Sequence, residues 1–156
     1  MSELKTPLPE RINYDFKVAM KSGDKIKLET LRSLRAAFKE KEIALRSQKK
    51  ELSEDDVLSV ITTAAKKRRE AIDEYRKAHR NDRAEEEEKE LAIILEYLPE
   101  QLSPAEIEQK VQSAMKAAGA ESIKDMGKVM SLLMPELKGR ADGKVVQNIV
   151  KKLLGG

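Results

Sequence analysis

The amino-acid sequence predicts an all-α protein, and two features carry that prediction. Apolar residues recur every three or four positions along most of the 156 residues, as they do in amphipathic helices, and no stretch alternates as a half-buried strand does. Glycines, prolines and helix-capping residues separate the periodic stretches. The sequence therefore favours a succession of helices over any fold that contains a sheet.

A change in composition near residue 98 divides the chain. All five aromatic residues precede this point, and six of the seven glycines follow it. Pro99 stands at the same point, and a helix is expected to end there because proline disfavours helical geometry in the residue before it. We therefore predict two small helical units: an N-terminal four-helix part at residues 1–98, a junction at 99–102 and a C-terminal three-helix bundle at 103–156.

The four helices of the first unit can be placed from their starting residues. The first begins near Pro9. Ser53 and Asp56 have the spacing of a capping box, in which each side chain accepts a hydrogen bond from the other residue's amide. Asp24 and Asn81 are expected to cap the second and fourth helices through their short polar side chains. The positions expected to face the core are Ile12, Phe16, Ala19 or Met20, Leu31, Leu34, Phe38, Leu45, Val57, Ile61, Ala64 or Ala65, Ile72, Tyr75, Leu91, Ile94 or Leu95, and Leu98.

The second unit shows the same signals in shorter helices. Ser103 and Glu106 form one capping box, and Ser122 and Asp125 have the spacing of another. Asp142 is expected to cap the last helix. The positions expected to face the core are Ile107, Val111, Ala114 or Met115, Ala118, Ile123, Met126, Val129 or Met130, Leu133, Val145 or Val146, Ile149 or Val150, and Leu153 or Leu154.

Two residues of the middle helix of this unit carry separate expectations. Pro135 is expected to end the helix, because proline has no amide hydrogen and its ring clashes with the preceding turn. Gly127 lies on the apolar face, where a glycine indicates the close approach of another helix.

The densest basic run, Lys66–Arg69, does not form one patch, because four consecutive residues of a helix point in four directions. Arg68 falls on the apolar stripe, seven residues after Ile61, where an unpaired guanidinium is costly. Glu87 and Glu88 are its expected partners across an antiparallel hairpin. Arg68 is therefore interpreted as structural. Its basic neighbours are interpreted as residues that either face solvent or bind another molecule.

The composition excludes several kinds of catalytic site. The chain has no cysteine and one histidine, His79, so thiolate catalysis and histidine metal cages are ruled out. The segment 139–144 is similar to a nucleotide-binding loop, but its glycines are one residue too close and Val145 replaces the hydroxyl that binds magnesium. The acidic run 85–88 is interpreted as a charged helix start. We predict no catalytic residue, no metal site and no cofactor.

The location is inferred from what the sequence lacks. Residues 1–11 contain no apolar stretch of the kind that marks a secretory signal, and no run approaches the ~20 apolar residues of a spanning helix. A cytoplasmic location is therefore expected.

A cluster of cations near the last helix is the strongest candidate for binding. Lys138, Arg140 and Lys144 surround a helix start, where free amides favour anions such as phosphates. Asp142 would occupy some of these amides, so side chains would have to hold the phosphate. The alternative is a glycine turn that only joins two helices. The candidate nucleic-acid-binding residues are Lys124, Lys128, Lys138, Arg140, Lys144, Lys151 and Lys152.

Several segments closely resemble the stand-alone YqeY proteins of the GatB/YqeY family. They read LEYLPEQLS at residues 95–103, KDMGKVM at 124–130 and KGRADGK at 138–144. The segments LRSLRAA at 31–37 and KRRE at 67–70 are similar as well. The resemblance therefore covers nearly the whole chain.

The resemblance implies an all-helical, two-part protein whose C-terminal half looks like the tail of the GatB component of the aspartyl/glutamyl-tRNA amidotransferase, which helps hold tRNA. It also brings a family label, carbon–nitrogen ligase with glutamine as amido-N-donor, although the domains that perform that chemistry are missing here. We predict a non-catalytic adaptor that binds tRNA, or a tRNA-processing or amidotransferase complex. Two alternatives stay open: a protein–protein interaction module without RNA contact, and an amidotransferase-associated enzyme.

Overall fold

The computed structural model describes residues 7–155. These residues form seven α-helices and one 3-10 turn and contain no strand, so the all-α prediction is confirmed. The contacts divide the chain into two compact units, one that ends at Leu98 and one that begins at Pro99. We call them unit 1 and unit 2.

Unit 1 is built from two pairs of packed helices. Its helices are α1 (Leu8–Ser22), α2 (Lys25–Arg46), α3 (Glu54–Lys77) and α4 (Asn81–Leu95). Helix α1 packs against α2 and α3 packs against α4, while α2 also contacts both α3 and α4. The side chains at the centre of this packing are Ile12, Leu31, Leu34, Ile61 and Ile94. All of them lie at positions that the helical spacing predicts to be buried.

The start of α4 differs from the prediction. Asp24 and Ser53 cap α2 and α3 as expected, with Asp24 accepting a bond of 3.1 Å from the Lys27 amide. Asn81, however, is already helical, and Arg80 occupies the cap position without any side-chain cap. The expectation that Asn81 caps α4 is therefore wrong, because a capping residue must have a non-helical backbone.

A buried tyrosine joins α1 to the segment that follows α4. The Tyr97 hydroxyl donates a hydrogen bond of 2.5 Å to Asp15, and the Arg11 guanidinium lies 4.9 Å from the centre of the tyrosine ring. Arg11 also donates to the Glu96 carbonyl at 3.2 Å. Burial, and then the bond to the Asp15 carboxylate, raise the pKa of Tyr97, because both favour the protonated hydroxyl over the phenolate.

Unit 2 is a bundle of three helices. They are α5 (Pro104–Ala118), α6 (Met126–Leu137) and α7 (Gly143–Leu153), and a 3-10 turn (Ile123–Asp125) precedes α6. Ser103 and Glu106 form the expected capping box, and Asp142 caps α7. The most deeply buried side chains are all aliphatic: Val111, Val129, Leu133, Leu137, Val146 and Val150.

Helix α6 departs from three expectations. It continues through Pro135 to Leu137, whose side chain is fully buried, and the Lys138 amide still closes the last turn on the Met134 carbonyl at 2.9 Å. Burial of Leu137 therefore outweighs the one hydrogen bond that the proline removes. Ile123 lies in the tight turn and is 41 % exposed rather than buried. A Cβ atom at Gly127 would meet nothing within 4 Å, so the expected close approach of another helix is wrong.

The helices of unit 2 alternate in direction. Lys110 in the first half of α5 lies 3.8 Å from Glu136 near the end of α6, so these helices are antiparallel. Leu153 at the end of α7 lines a cavity together with Met115 near the end of α5, so α7 runs parallel to α5. One end of the bundle therefore holds the start of α7, and the other holds its end and the start of α6.

Candidate nucleic-acid interface

Two of the segments that carry the family resemblance are bonded to each other in unit 2. The Leu102 amide donates to the Arg140 carbonyl at 2.9 Å, and the Gln101 side chain donates to the Gly139 carbonyl at 2.6 Å. Arg140 Nε donates in return to the Glu100 carbonyl at 3.3 Å. Gly139 has φ of 78°, a conformation that favours glycine. We call residues 100–102 and 139–140 the entry clasp.

The entry clasp gives Arg140 a structural role. Its side chain is half-buried, and its Nε is already engaged by the Glu100 carbonyl. It also lies near enough to Glu106 to affect that carboxyl: the amide and hydroxyl of Ser103 lower the pKa of Glu106 most, and Arg140 lowers it further. Arg140 therefore supports the bundle whether or not it also meets a phosphate.

Lys138 and Lys144 lie at the same end of the bundle as the entry clasp. Lys138 follows α6 and Lys144 is in the first turn of α7, and both are exposed. The Asp142 carboxylate accepts a hydrogen bond of 3.0 Å from the Lys144 amide. Since the cap occupies this amide, a phosphate here would depend on the two lysine side chains. We call Lys138, Arg140 and Lys144 the clasp-end cations.

The other four candidate lysines lie at the opposite end of unit 2. Lys124 is in the 3-10 turn, Lys128 is in the first turn of α6, and Lys151 and Lys152 are in the last turn of α7. All four are exposed, and none lies within 4.0 Å of a carboxylate among the described residues. We call them the far-end lysines.

The seven candidate residues thus form two groups and not one patch. The 11 residues of α7 separate the groups by about 16 Å, at a rise of about 1.5 Å per residue. Sequence reasoning could place each residue on its helix, but the grouping depends on which helix ends meet. That these residues bind nucleic acid stays a prediction.

Charged side chains in unit 1 are used between helices. Arg68 Nε lies 3.0 Å from Glu90 and 3.5 Å from Glu87, with about a quarter of each side chain exposed. Glu87 is an expected partner. Glu88, the other expected partner, pairs with Arg76 instead, because Glu87 and Glu90 are three residues apart on one face of α4 and Glu88 is turned away. The structural interpretation of Arg68 agrees with this arrangement.

Sequence reasoning missed a pair of arginines on α2. The guanidinium of Arg35 lies 4.2 Å from the centre of the Phe16 ring, and that of Arg32 lies 5.9 Å from it. The three-residue spacing of the arginines places both on the face that meets α1. That spacing was visible in the LRSLRAA segment and could have revealed the pair.

Residues 7–155 contain neither a cluster of side chains suited to a metal ion nor a helix suited to crossing a membrane. No three histidine, aspartate or glutamate side chains in this range are grouped so as to hold a metal ion. Over the same range, each helix is either too short or too polar to span a bilayer.

Residues 9–154 match the sequence pattern of the family described as "Yqey-like protein". This chain belongs to the YqeY-like family. The match takes in both units, so the resemblance that the separate segments indicated is confirmed along nearly the whole sequence.

Curated relatives come from fungi. Over 149 residues the chain is 31 % identical to "Altered inheritance of mitochondria protein 41, mitochondrial" of Pyrenophora tritici-repentis, covering 93 % of this chain and 80 % of that protein. Proteins of the same name from Vanderwaltozyma polyspora and Lachancea thermotolerans are 34 % and 35 % identical over 65 % and 67 % of this chain. The matched regions make up only 55 % and 56 % of those two proteins.

These relatives contradict the cytoplasmic location expected from the sequence. All three are named as mitochondrial proteins. The expectation was wrong because it rested on the absence of a secretory stretch and of a spanning segment. Those features separate secreted and membrane proteins from others, but they do not separate one aqueous compartment from another.

Proposed function

We propose that this YqeY-like chain is a non-catalytic helical adaptor that binds tRNA through the cations of unit 2, chiefly the far-end lysines. One observation carries the proposal: four exposed lysines lie at the same end of a small bundle, and none has an ion pair among the described residues. Unpaired lysine side chains that neutralise phosphates displace the counterions condensed on a nucleic acid, which favours binding.

The use of carboxylates in unit 2 supports the proposal. Glu106, Asp125 and Asp142 accept hydrogen bonds from amides at helix starts. The amides of Glu121 and Ser122 lower the pKa of Asp125, and Lys128 contributes less. Because these carboxylates are held by amides, the far-end lysines are left to meet an external anion.

The chemistry of the cations also suits a folded RNA. Lysine contacts with phosphates position a partner without reading its sequence. No aromatic residue follows Tyr97, so unit 2 has no ring on which an unpaired base could stack. We infer that the adaptor delivers or retains tRNA for a tRNA-processing or amidotransferase complex, and that the carbon–nitrogen ligase label describes such a complex and not this chain.

The test compares the two groups of cations in the full chain. Lys124, Lys128, Lys151 and Lys152 are replaced by glutamine in one variant, and Lys138 and Lys144 in a second. The slope of log affinity for tRNA against log salt should fall by about 3 units in the first variant and by at most about 2 in the second. Wild-type slopes in both variants, or glutamine hydrolysis by the purified chain alone, would contradict the proposal.

A protein–protein interaction module is the second candidate, and one apolar position favours it. Leu132 on α6 is 49 % exposed and borders a shallow depression shared with Ala118 and Gly127. An apolar contact there would persist in concentrated salt and after nuclease treatment and would be lost in the L132S variant. A complex that dissociates in concentrated salt would instead support the tRNA adaptor, because salt screens contacts between lysines and phosphates.

A further inference from the structure

The charge of unit 1 is unevenly divided between its two helix pairs. Residues 8–46, which form α1 and α2, contain ten Lys or Arg and six Asp or Glu, a net charge of +4. Residues 47–98, which contain α3 and α4, hold eleven basic and fourteen acidic residues, a net charge of −3. The near-neutral total of this unit therefore conceals a cationic half.

The ring of Phe16 organises the arginines of that half. Phe16 is buried, and the guanidinium groups of Arg35 and Arg32 cover it at 4.2 and 5.9 Å from its centre. A guanidinium held against an aromatic face is attracted by the ring and loses much of its freedom. We call Phe16, Arg32 and Arg35 the arginine platform.

Arg35 has N–H donors that are not used in an ion pair within the described residues. Its Nε donates to the Asn13 side chain at 2.9 Å, which fixes one edge of the guanidinium. An arginine has five N–H donors, so four remain on the two outer nitrogens of Arg35. No carboxylate of the described residues lies within 4.0 Å of them. Arg32, in contrast, is partly neutralised by Glu29 at 2.5 Å.

A groove of about 560 Å³ runs beside the arginine platform between α1 and α2. Lys39, which has no ion pair within the described part of the chain, lines it together with both arginines. Two carboxylates, Glu40 and Glu42, line it as well, so the groove carries three positive and two negative charges. The apolar side chains that reach it are few and small or buried, unlike the aromatic centre of a typical protein interface.

We propose that the arginine platform and Lys39 form a second RNA-binding surface, which holds phosphates of the RNA backbone on unit 1. The fork of Arg35 matches two oxygens of one phosphate, and its anchorage to Phe16 and Asn13 presents that fork before the ligand arrives. The surface shares its partner with the proposed function but none of its residues. The two can therefore fail separately.

The platform also shields Phe16 from water, and the test must separate that role from binding. In the full chain, Arg32 and Arg35 are replaced by glutamine. The matched control replaces Lys77 of α3 and Lys89 of α4, two exposed lysines, by glutamine, which removes the same charge elsewhere. A third variant, Arg35→Lys, keeps the charge and loses the fork.

Binding to unfractionated tRNA is measured over a range of salt concentrations, with melting temperatures recorded to check folding. The arginine variant should bind about tenfold more weakly in low salt, with a slope reduced by about 1 to 2 units, while the control stays close to wild type. Arg35→Lys should keep the wild-type slope and still bind roughly three- to tenfold more weakly, because a point charge replaces the bidentate fork.

Several outcomes would overturn the proposal. The first is an arginine variant that behaves like the control, and the second is Arg35→Lys with wild-type affinity. The third is a loss of binding to poly-glutamate or to anionic phosphatidylglycerol vesicles while tRNA binding is unchanged, because the partner would then be an acidic protein or a membrane. If only the far-end variant reduces the salt slope, the tRNA adaptor stands and this surface does not. If only the arginine variant reduces it, the reverse holds.

Discussion

Units 1 and 2 use their charged side chains in different ways. In unit 1, Arg68 and Arg76 of α3 form ion pairs with carboxylates of α4, so these charged side chains join two helices. In unit 2 an exposed pair, Lys110 with Glu136, joins α5 to α6, and other carboxylates cap helix starts as they do in unit 1. The far-end lysines are left without ion-pair partners among the described residues. A dense basic run is therefore no guide to binding, because Arg68 in its middle is held in ion pairs between two helices, whereas scattered lysines in a capped bundle remain accessible.

The largest effect is expected from the aliphatic core of unit 2. Leu137 is fully buried in the turn that continues past Pro135. We expect Leu137→Ala to lower the free energy of unfolding by about 2–5 kcal/mol, since it opens a cavity and removes the contact that extends α6. Chemical denaturation followed by circular dichroism measures the change.

Leu132→Ala is the matched control for that prediction, because Leu132 is in the same helix but 49 % exposed. Its effect should stay within about 0.5 kcal/mol. Equal effects of the two substitutions would show that the turn after Pro135 is not held by burial.

A somewhat smaller effect is expected from the ion pairs of unit 1. Arg68→Ala leaves Glu87 and Glu90 close together without a counter-charge. We expect a loss of about 2–3 kcal/mol, less than the about 3–5 kcal/mol of a fully buried pair, because these side chains are about a quarter exposed. The free energy of unfolding is the measured quantity.

Arg83→Ala serves as its control, since the pair between Arg83 and Glu86 is largely exposed. That substitution should change stability by less than about 1 kcal/mol. If Arg68→Ala is as mild as Arg83→Ala, the contrast between the units disappears.

The smallest effect is a difference in pH dependence. Amides lower the pKa of Glu106 and Asp125, so the folded state binds fewer protons than the unfolded state near their ordinary values of 4.5 and 3.8. Stability from these groups is present above those values and is lost as pH falls through the lowered pKa. Burial raises the pKa of Glu90, so its contribution has the opposite sign and is lost as pH rises above 4.5.

Unfolding measured from pH 3 to pH 7 tests these signs, in roughly the range where carboxyl groups titrate. Glu106→Gln with Asp125→Asn should flatten the acid side of the stability profile. Glu90→Gln should flatten the fall on the neutral side. The slope of stability against pH should therefore decrease in the first variant and increase in the second. A change in the same direction in both variants would contradict the opposite signs of these pKa shifts.

Much of the fold could be predicted from the sequence, because periodicity and capping are local. The capping boxes at Ser53 and Ser103 and the buried face through Ile61 follow from spacing alone. The end of α6 could not be predicted, because it depends on the burial of Leu137 against other helices. Glu90 was missed for a related reason: the register between α3 and α4 decides which glutamate faces Arg68.

The sequence names individual candidate cations, but it does not predict how they are arranged in the bundle. Lys124 and Lys144 are both candidate cations in the sequence, but only the helix directions place them at opposite ends of the bundle. The role of Arg140 depends on Gln101 and its neighbours, which precede it by almost forty residues and have no periodic pattern to connect them. The position of each charge on its helix follows from the local sequence, whereas the residues that surround it in the folded bundle depend on distant parts of the chain.

The entry clasp restricts how the polypeptide can be divided. A fragment that starts at Ser103, the first residue of the capping box, would leave the Gly139 and Arg140 carbonyls facing solvent and the Arg140 side chain without its acceptor. A fragment that starts at Pro99 would retain all three bonds. Anyone who excises the C-terminal part for crystallisation or isotope labelling should therefore cut before the proline, since the residues that look like a tether are needed to close the loop before α7.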